Sequence, residues 1–282
     1  MTTTATATVT LDVKQATSGR HTKSTLARII HSEWIKFRTL RANWTMLGAT
    51  MVLFIAFGAI AAAVSTGSVD APNGGPLAVG GDALQTVLTG SRFALLLLGV
   101  LGALSGAREY ASRMIVATVG AVPKRWHVVI AKAIVLTAVV LPTALIGAFG
   151  AFFAGNAVFA SQDATTVALS DDGVVRALGG MAAFLVAIAL LGLALGFLMR
   201  SVAGSIGTLI AGALIVPGIA GALLPDSWDE LLKYLPTQAA ASFTPVGTTG
   251  DTLSAGAGAI VLAVWVVALV AAATASITRR DV

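Results

Sequence analysis

Six almost unbroken apolar runs divide the sequence, near 44–65, 84–107, 128–153, 177–199, 202–224 and 254–276. A helix needs about 20 residues to cross a hydrocarbon core of about 30 Å, so each run is a candidate span. The second has the shortest clean stretch, Phe93 to Ala107, so its predicted helix starts outside that stretch and draws Arg92 below the outer interface. Pro142 and Pro217 fall inside the third and fifth. Each removes a backbone donor and is expected to kink its helix unless neighbours satisfy the freed carbonyls. Ahead of the first run, Ser24 to Arg41 places Leu26, Ile30, Trp34 and Phe37 at helical spacing, flanked by Ile29 and Leu40, with Arg28, Lys36, Arg38 and Arg41 on the wet side. Such a basic amphipathic helix lies in the membrane interface with its cations at anionic headgroups, or else extends the first span into the cytosol. The pattern therefore predicts an all-α polytopic membrane protein: a flexible cytoplasmic tail over 1–23, an amphipathic helix over 24–42 and a six-helix transmembrane domain over 43–282.

Composition removes the alternatives. Of 282 residues 56% are hydrophobic and 11% charged, and the 30 glycines bring the apolar share to about two-thirds. Soluble domains are about half apolar and about a quarter charged, and so few charges could not cover so large an apolar content without big exposed patches. Disordered chains are poor in hydrophobic residues, which excludes disorder as well. The absence of cysteine removes disulfides and thiolate chemistry. The 18 Lys and Arg residues divide 15 to 3 across a six-span arrangement, with only Arg92, Arg176 and Lys233 on the minority side. Asp70, Asp82, Asp163, Asp171, Asp172, Asp226, Asp229, Glu230 and Asp251 fall on that same minority side. Cations concentrate in cytoplasmic segments, so both termini are expected in the cytoplasm and the net charge of +5 is a topology signal, not a nucleic-acid one.

Catalytic patterns are missing. There is no GxxxxGK[ST] phosphate loop and no GxSxG elbow, and His21, His31 and His127 lack metal-ligand spacing. No catalytic or metal-binding residue is assigned. The spans carry almost no ionisable group, whereas ion-coupled carriers need them at membrane depth, so any energy input is expected from another protein. Arg92 either snorkels to the outer headgroups or lines a cavity; with Pro142, Pro217 and Trp228 it forms the set of candidates for a cavity wall or outer gate. The GxxxG spacings Gly102/Gly106 and Gly192/Gly196 read as helix packing. In the loop after the fifth span, Trp228 to Leu235 reads as a short amphipathic helix dipping into the outer interface or as a plain loop.

Between the second and third spans, the block from Gly102 to Val135 has Arg108, Glu109 and Arg113 at one end, Pro123, Lys124 and Arg125 at the other, and Met114, Ile115 and Val119 between. An apolar face with charged ends suits a groove on a partner protein, and an unpartnered interfacial helix would look similar. Here the sequence resembles the permease subunits of ABC-2-type transporters, the six-span bacterial family that includes drug and antibiotic exporters. The resemblance rests on Ser32-Glu33-Trp34-Ile35-Lys36-Phe37-Arg38-Thr39-Leu40-Arg41, on Glu109-Tyr110, on Ala117-Thr118 and Val122-Pro123-Lys124-Arg125, and on Ala131-Lys132. Arg113 and Val116 depart from the family pattern, standing where glycine and a basic residue are common. The resemblance implies a connecting helix carrying Glu33, Trp34, Lys36, Phe37, Arg38 and Arg41. It implies a cytoplasmic coupling helix whose contacts with an ATPase involve Glu109, Tyr110, Arg113, Thr118, Pro123, Lys124 and Arg125. It further implies two copies of a separate ABC ATPase that hold the ATP and magnesium, a second identical or related permease, residence in the bacterial plasma membrane, and export of a hydrophobic or amphipathic cargo. A non-transporting scaffold, immunity or sensor partner of an ATPase is the alternative.

Overall fold

The computed structural model describes residues 25–69, 82–112, 114, 125–223, 225, 228–244 and 253–279. These residues are helical with no strand among them: α1 Leu26–Thr39, α2 Arg41–Ser65, α3 Ala83–Val87, α4 Ser91–Ala111, α5 Trp126–Ser161, α6 Val174–Met199, α7 Val202–Ile210, a π turn Ala211–Ile215, α8 Val216–Leu223, α9 Asp229–Leu232, α10 Pro236–Ala241 and α11 Ala255–Arg279. Six helices are long and apolar enough to cross a membrane: α2, α4, α5, α6, the α7–α8 unit and α11. The fold is thus that of a multi-pass membrane protein. The tail over 1–23 lies outside the described residues.

The bundle is organised around α6. Within its most apolar stretch 72% of residues are buried, against 17% in the α7–α8 unit and in α11, so the fifth and sixth spans flank the bundle and α6 is its axis. Contact between α4 and α6 is the most extensive in the molecule. Glycine makes it possible: Gly102 backs onto the Ala189 carbonyl, Gly106 onto that of Leu193, Gly192 onto that of Gly99 and Gly196 onto that of Ala103. The two GxxxG stripes are therefore the facing halves of one intramolecular seam, where missing Cβ atoms let the backbones touch and dispersion act at close range. Along α2, Asn43, Leu47, Thr50, Phe54, Gly58 and Ala61 recur at helical period and form its buried stripe, which faces α5 and α4.

Three expectations need correction. The second span is not one helix from residue 84. After α3 the chain turns through Leu88–Gly90 before α4 begins, because this turn lies backbone to backbone on α2, with Gly90 against the Phe54 carbonyl and Gly58 against that of Val87. Arg92 is exposed in the first turn of α4. Pro142 lies inside the third span, whose helical assignment continues through it for 36 residues in all. At about 1.5 Å per residue, α5 outruns the hydrocarbon core and projects beyond it. Pro217 leaves its mark one turn upstream: the helix widens to a π turn, in which the Val216 N–H reaches back to the Ala211 carbonyl. Widening of this kind relieves the clash a proline ring makes with the preceding turn. Finally, the segment 228–235 is no continuous amphipathic helix. It contains only the four-residue α9 and leaves Trp228, Leu231 and Tyr234 exposed, tied to α11 by the Trp265 indole, which donates to the Tyr234 carbonyl at 2.8 Å.

Candidate functional site

The end of the bundle where the cations concentrate carries a closed ring of four charges. Its base is α1, whose buried line is Ile29, Glu33 and Phe37, at successive i, i+4 positions. Ile29 packs against Val128 and Ala131 at the start of α5. A carboxylate between two buried apolar residues of one helix face is a costly placement unless cations meet it there. Lys132 of α5 and Lys36 of α1 do so. Lys132 Nζ donates to Glu33 Oε2 at 2.6 Å and lies 2.8 Å from Glu109 Oε1, while Lys36 Nζ donates to Glu33 Oε1 at 2.7 Å and to Glu109 Oε1 at 3.1 Å. Each ammonium bridges both carboxylates, so the four groups form an uncharged square. Three of its side chains are at least nine-tenths buried and only that of Lys36 is substantially exposed. Burial acts most strongly on the Lys36 ammonium and pushes its pKa down, but the hydrogen bonds and charges of Glu33 and Glu109 together outweigh it and hold the pKa above the ordinary lysine value.

Glu109 and Tyr110, expected in a coupling helix between the second and third spans, belong to the last turn of α4 itself. The consequence is mechanical, since the ring ties α1, the end of α4 and the beginning of α5 into one unit. The α1–α2 corner reinforces it: Asn43 Nδ2 donates to the Phe37 carbonyl at 3.1 Å and the Trp44 indole to the Arg38 carbonyl at 3.0 Å. Two of the carbonyls left over at the end of α1 are thereby satisfied by the next helix. On the other side of α4, Tyr110 packs edge-on against Phe197, and the Arg200 guanidinium lies 5.3 Å from the centre of its ring. Arg200 occupies the left-handed region, φ 52°, in the tight turn between α6 and α7. Successive residues of α4 therefore grip opposite sides of the bundle.

Between α1, α4 and α5 lies a cavity of about 440 Å³, polar where Glu109, Lys132, Arg108 and Asn43 reach it and apolar along Leu104, Val135 and Leu136. A second, outlying groove of about 710 Å³ between α6 and α11 is walled almost wholly by apolar and small residues.

Of the residues singled out from the sequence, the structure gathers Glu33, Lys36, Phe37 and Glu109. Trp34 and Tyr110 are half-buried against the same core, Arg38 and Arg41 are exposed, and Arg125 is half-buried just before α5. Arg113, Thr118, Pro123 and Lys124 lie outside the described residues. Arg92, Pro142 and Trp228 are exposed, Pro217 is half-buried, and none of the four lines either cavity. In the sequence Lys132 stands out only within the Ala131-Lys132 element and Arg108 only as part of a charged end, while Asn43 and Arg200 carry no assigned site role. A signal for Lys132 was available: Glu33 is an acid on the cation-rich side, spaced i, i+4 from two apolar residues, and so needs a buried partner. Among the described residues, no three His, Cys, Asp or Glu side chains come together as a metal site. With both Glu33 oxygens occupied, the ring is suited to holding helices rather than to moving protons.

No protein-family model matches the chain, and no curated protein matches it either.

Proposed function

We propose that this chain is the transmembrane permease subunit of an ATP-driven exporter of the ABC-2 type, acting with a second identical or related permease and two copies of a separate ATPase. The cation-rich end and both termini face the cytoplasm of a bacterial cell, as the 15-to-3 asymmetry of Lys and Arg requires under the positive-inside rule. One observation carries the reading. The segments on which the family resemblance rests, Ser32–Arg41, Glu109-Tyr110 and Ala131-Lys132, are far apart in sequence yet supply all four members of the ion ring. A push delivered by an ATPase to the chain following Glu109 is passed through the ring to α1, α4 and α5 together, and a rigid joint of this kind is what a power stroke needs to reach the spans. ATP and magnesium belong to the partner, since this sequence has no phosphate loop, and its spans offer little for ion coupling. Cargo would be hydrophobic or amphipathic, and its affinity must differ between inward- and outward-facing states for the cycle to do work.

The test is to co-express the chain with candidate ATP-binding-cassette subunits from its own organism and to compare ATP turnover, co-purification and extrusion of a lipophilic cationic dye for the wild type and Glu109→Ala. Uncoupling is expected, with turnover less responsive to cargo and extrusion reduced. Unchanged values of all three in the variant would contradict the coupling role, and co-purification with no extrusion by the wild type would favour the non-transporting partner.

A further inference from the structure

Glu109, in the wall of the cavity between α1, α4 and α5, carries an acceptor that no described residue uses. Glu109 takes both of its ion pairs on Oε1, and Oε2 is buried with no hydrogen-bond partner among the described residues. A buried carboxylate oxygen left without a donor is costly, so an unfilled one marks a place for a donor from outside. One position earlier, Arg108 lines the same cavity and among the described residues makes a single long side-chain hydrogen bond, Nη1 to Asn43 Oδ1 at 3.4 Å, which leaves most of its fork without a described partner. A lone acceptor and a spare guanidinium side by side call for a ligand that carries a donor and an anion together.

The register supplies the rest. Leu104 is one turn deeper in the bundle than Arg108, and Val135 and Leu136 are one turn deeper than Lys132, so the cavity is polar at the helix ends and apolar toward the bilayer centre. Exposed Leu40 and Met114 rim it. This order, headgroup chemistry at the interface and hydrocarbon below, is that of a phospholipid.

We propose that the cavity binds a membrane phospholipid bearing a primary amine, with the ammonium on Glu109 Oε2 and the phosphate on Arg108. A phosphocholine headgroup has the phosphate but no N–H donor, and a phosphoglycerol headgroup offers the carboxylate oxygen only neutral hydroxyl donors, which bind it less strongly than an ammonium does. The site is independent of any ATPase, so it stands or falls separately from the exporter reading.

Native mass spectrometry of the full chain, relipidated in turn with palmitoyl-oleoyl phosphatidylethanolamine, phosphatidylcholine and phosphatidylglycerol, tests the proposal. Phosphatidylethanolamine should be retained about tenfold more strongly than phosphatidylcholine, the factor expected at minimum for one hydrogen bond to a charged group. Arg108→Gln should weaken both lipids, because the phosphate contact is common to them. Leu104→Trp, which fills the apolar part and leaves the ring intact, should abolish the preference, and Leu40→Trp at the exposed rim narrows the same mouth if the first variant folds poorly. Arg92→Gln at the far end should change nothing. Equal retention of the amine and choline lipids, or a preference that survives the cavity-filling variants, would overturn the assignment.

Discussion

Removing Glu33 should release α1 from the bundle without unfolding the spans. The Glu33→Ala change deletes the acceptor of two short ion pairs and leaves Lys36 and Lys132 competing for Glu109 Oε1 alone. The two losses differ in size. Lys36 is partly solvated, so its pair with Glu33 is worth about 0.2–1 kcal/mol. Lys132 is largely buried, and stripping a buried ion of a partner costs about 3–5 kcal/mol when none remains. Since Glu109 stays, the lower end of that range applies, and the total is about 3 kcal/mol, or roughly a hundredfold in a local opening equilibrium. Hydrogen exchange read by mass spectrometry should show protection over Leu26–Thr39 falling by about that factor while peptides from α6 are unaffected. Pairing Glu33→Gln with Lys132→Met in a double-mutant cycle should give a coupling of about 1–3 kcal/mol. Unchanged protection of α1, or equal loss everywhere, would refute the idea that the ring holds this helix.

Three further outcomes follow from the packing and the titration. Gly102→Leu should destabilise the protein by about 3 kcal/mol or more by thermal unfolding, because the side chain has only the Ala189 backbone to enter, whereas Gly48→Ala, which meets open space, should be neutral or gain about 0.5–1 kcal/mol. Arg200→Gly should be more stable than Arg200→Ala by about 1 kcal/mol in the same assay, since both lose the side chain but only glycine is at ease at φ 52°. The pKa of Lys36 is raised on folding, so its contribution is complete below pH 10.5 and lost as pH rises through the higher folded value. Emission from Trp34, compared with a variant lacking it, should accordingly stay constant between pH 6 and 9 and change only above about 10.5; a transition near neutrality would contradict the assignment.

Membrane architecture was legible because lipid enforces it: six apolar runs of spanning length appear as six helices, with ends displaced by a few residues in most cases. What composition could not reveal is where backbones touch. The turn at Leu88–Gly90 depends on contact of α2 with the chain around it, Gly58 with Val87 and Phe54 with Gly90, about 30 to 36 positions apart, and no local pattern encodes it. The π turn before Pro217 is one of several ways a helix can accommodate a proline, and the presence of the proline in the sequence does not say which one is taken. All four members of the ion ring lie in segments marked by resemblance, and three of them, Glu33, Lys36 and Glu109, stand among the site residues it implies, but helical spacing puts the apolar stripe of α1 at Leu26, Ile30, Trp34 and Phe37. The structure rotates that face so that Glu33 points inward, for which Lys132, 99 positions away, is the reason. Apolar periodicity alone could not place an acid in the core, because the compensating cation comes from another helix.

The claim most in need of a direct test is that the end bearing the ring faces the cytoplasm, where an ATPase could reach it. Because the chain has no cysteine, single thiols can be introduced without background. Ser112→Cys, exposed just after α4, and Gln162→Cys, exposed just after α5 at the opposite end, are to be treated in intact cells with a membrane-impermeant maleimide. The account predicts labelling at position 162 in intact cells and at position 112 only after permeabilisation. Labelling of position 112 in intact cells, with 162 protected, would contradict it.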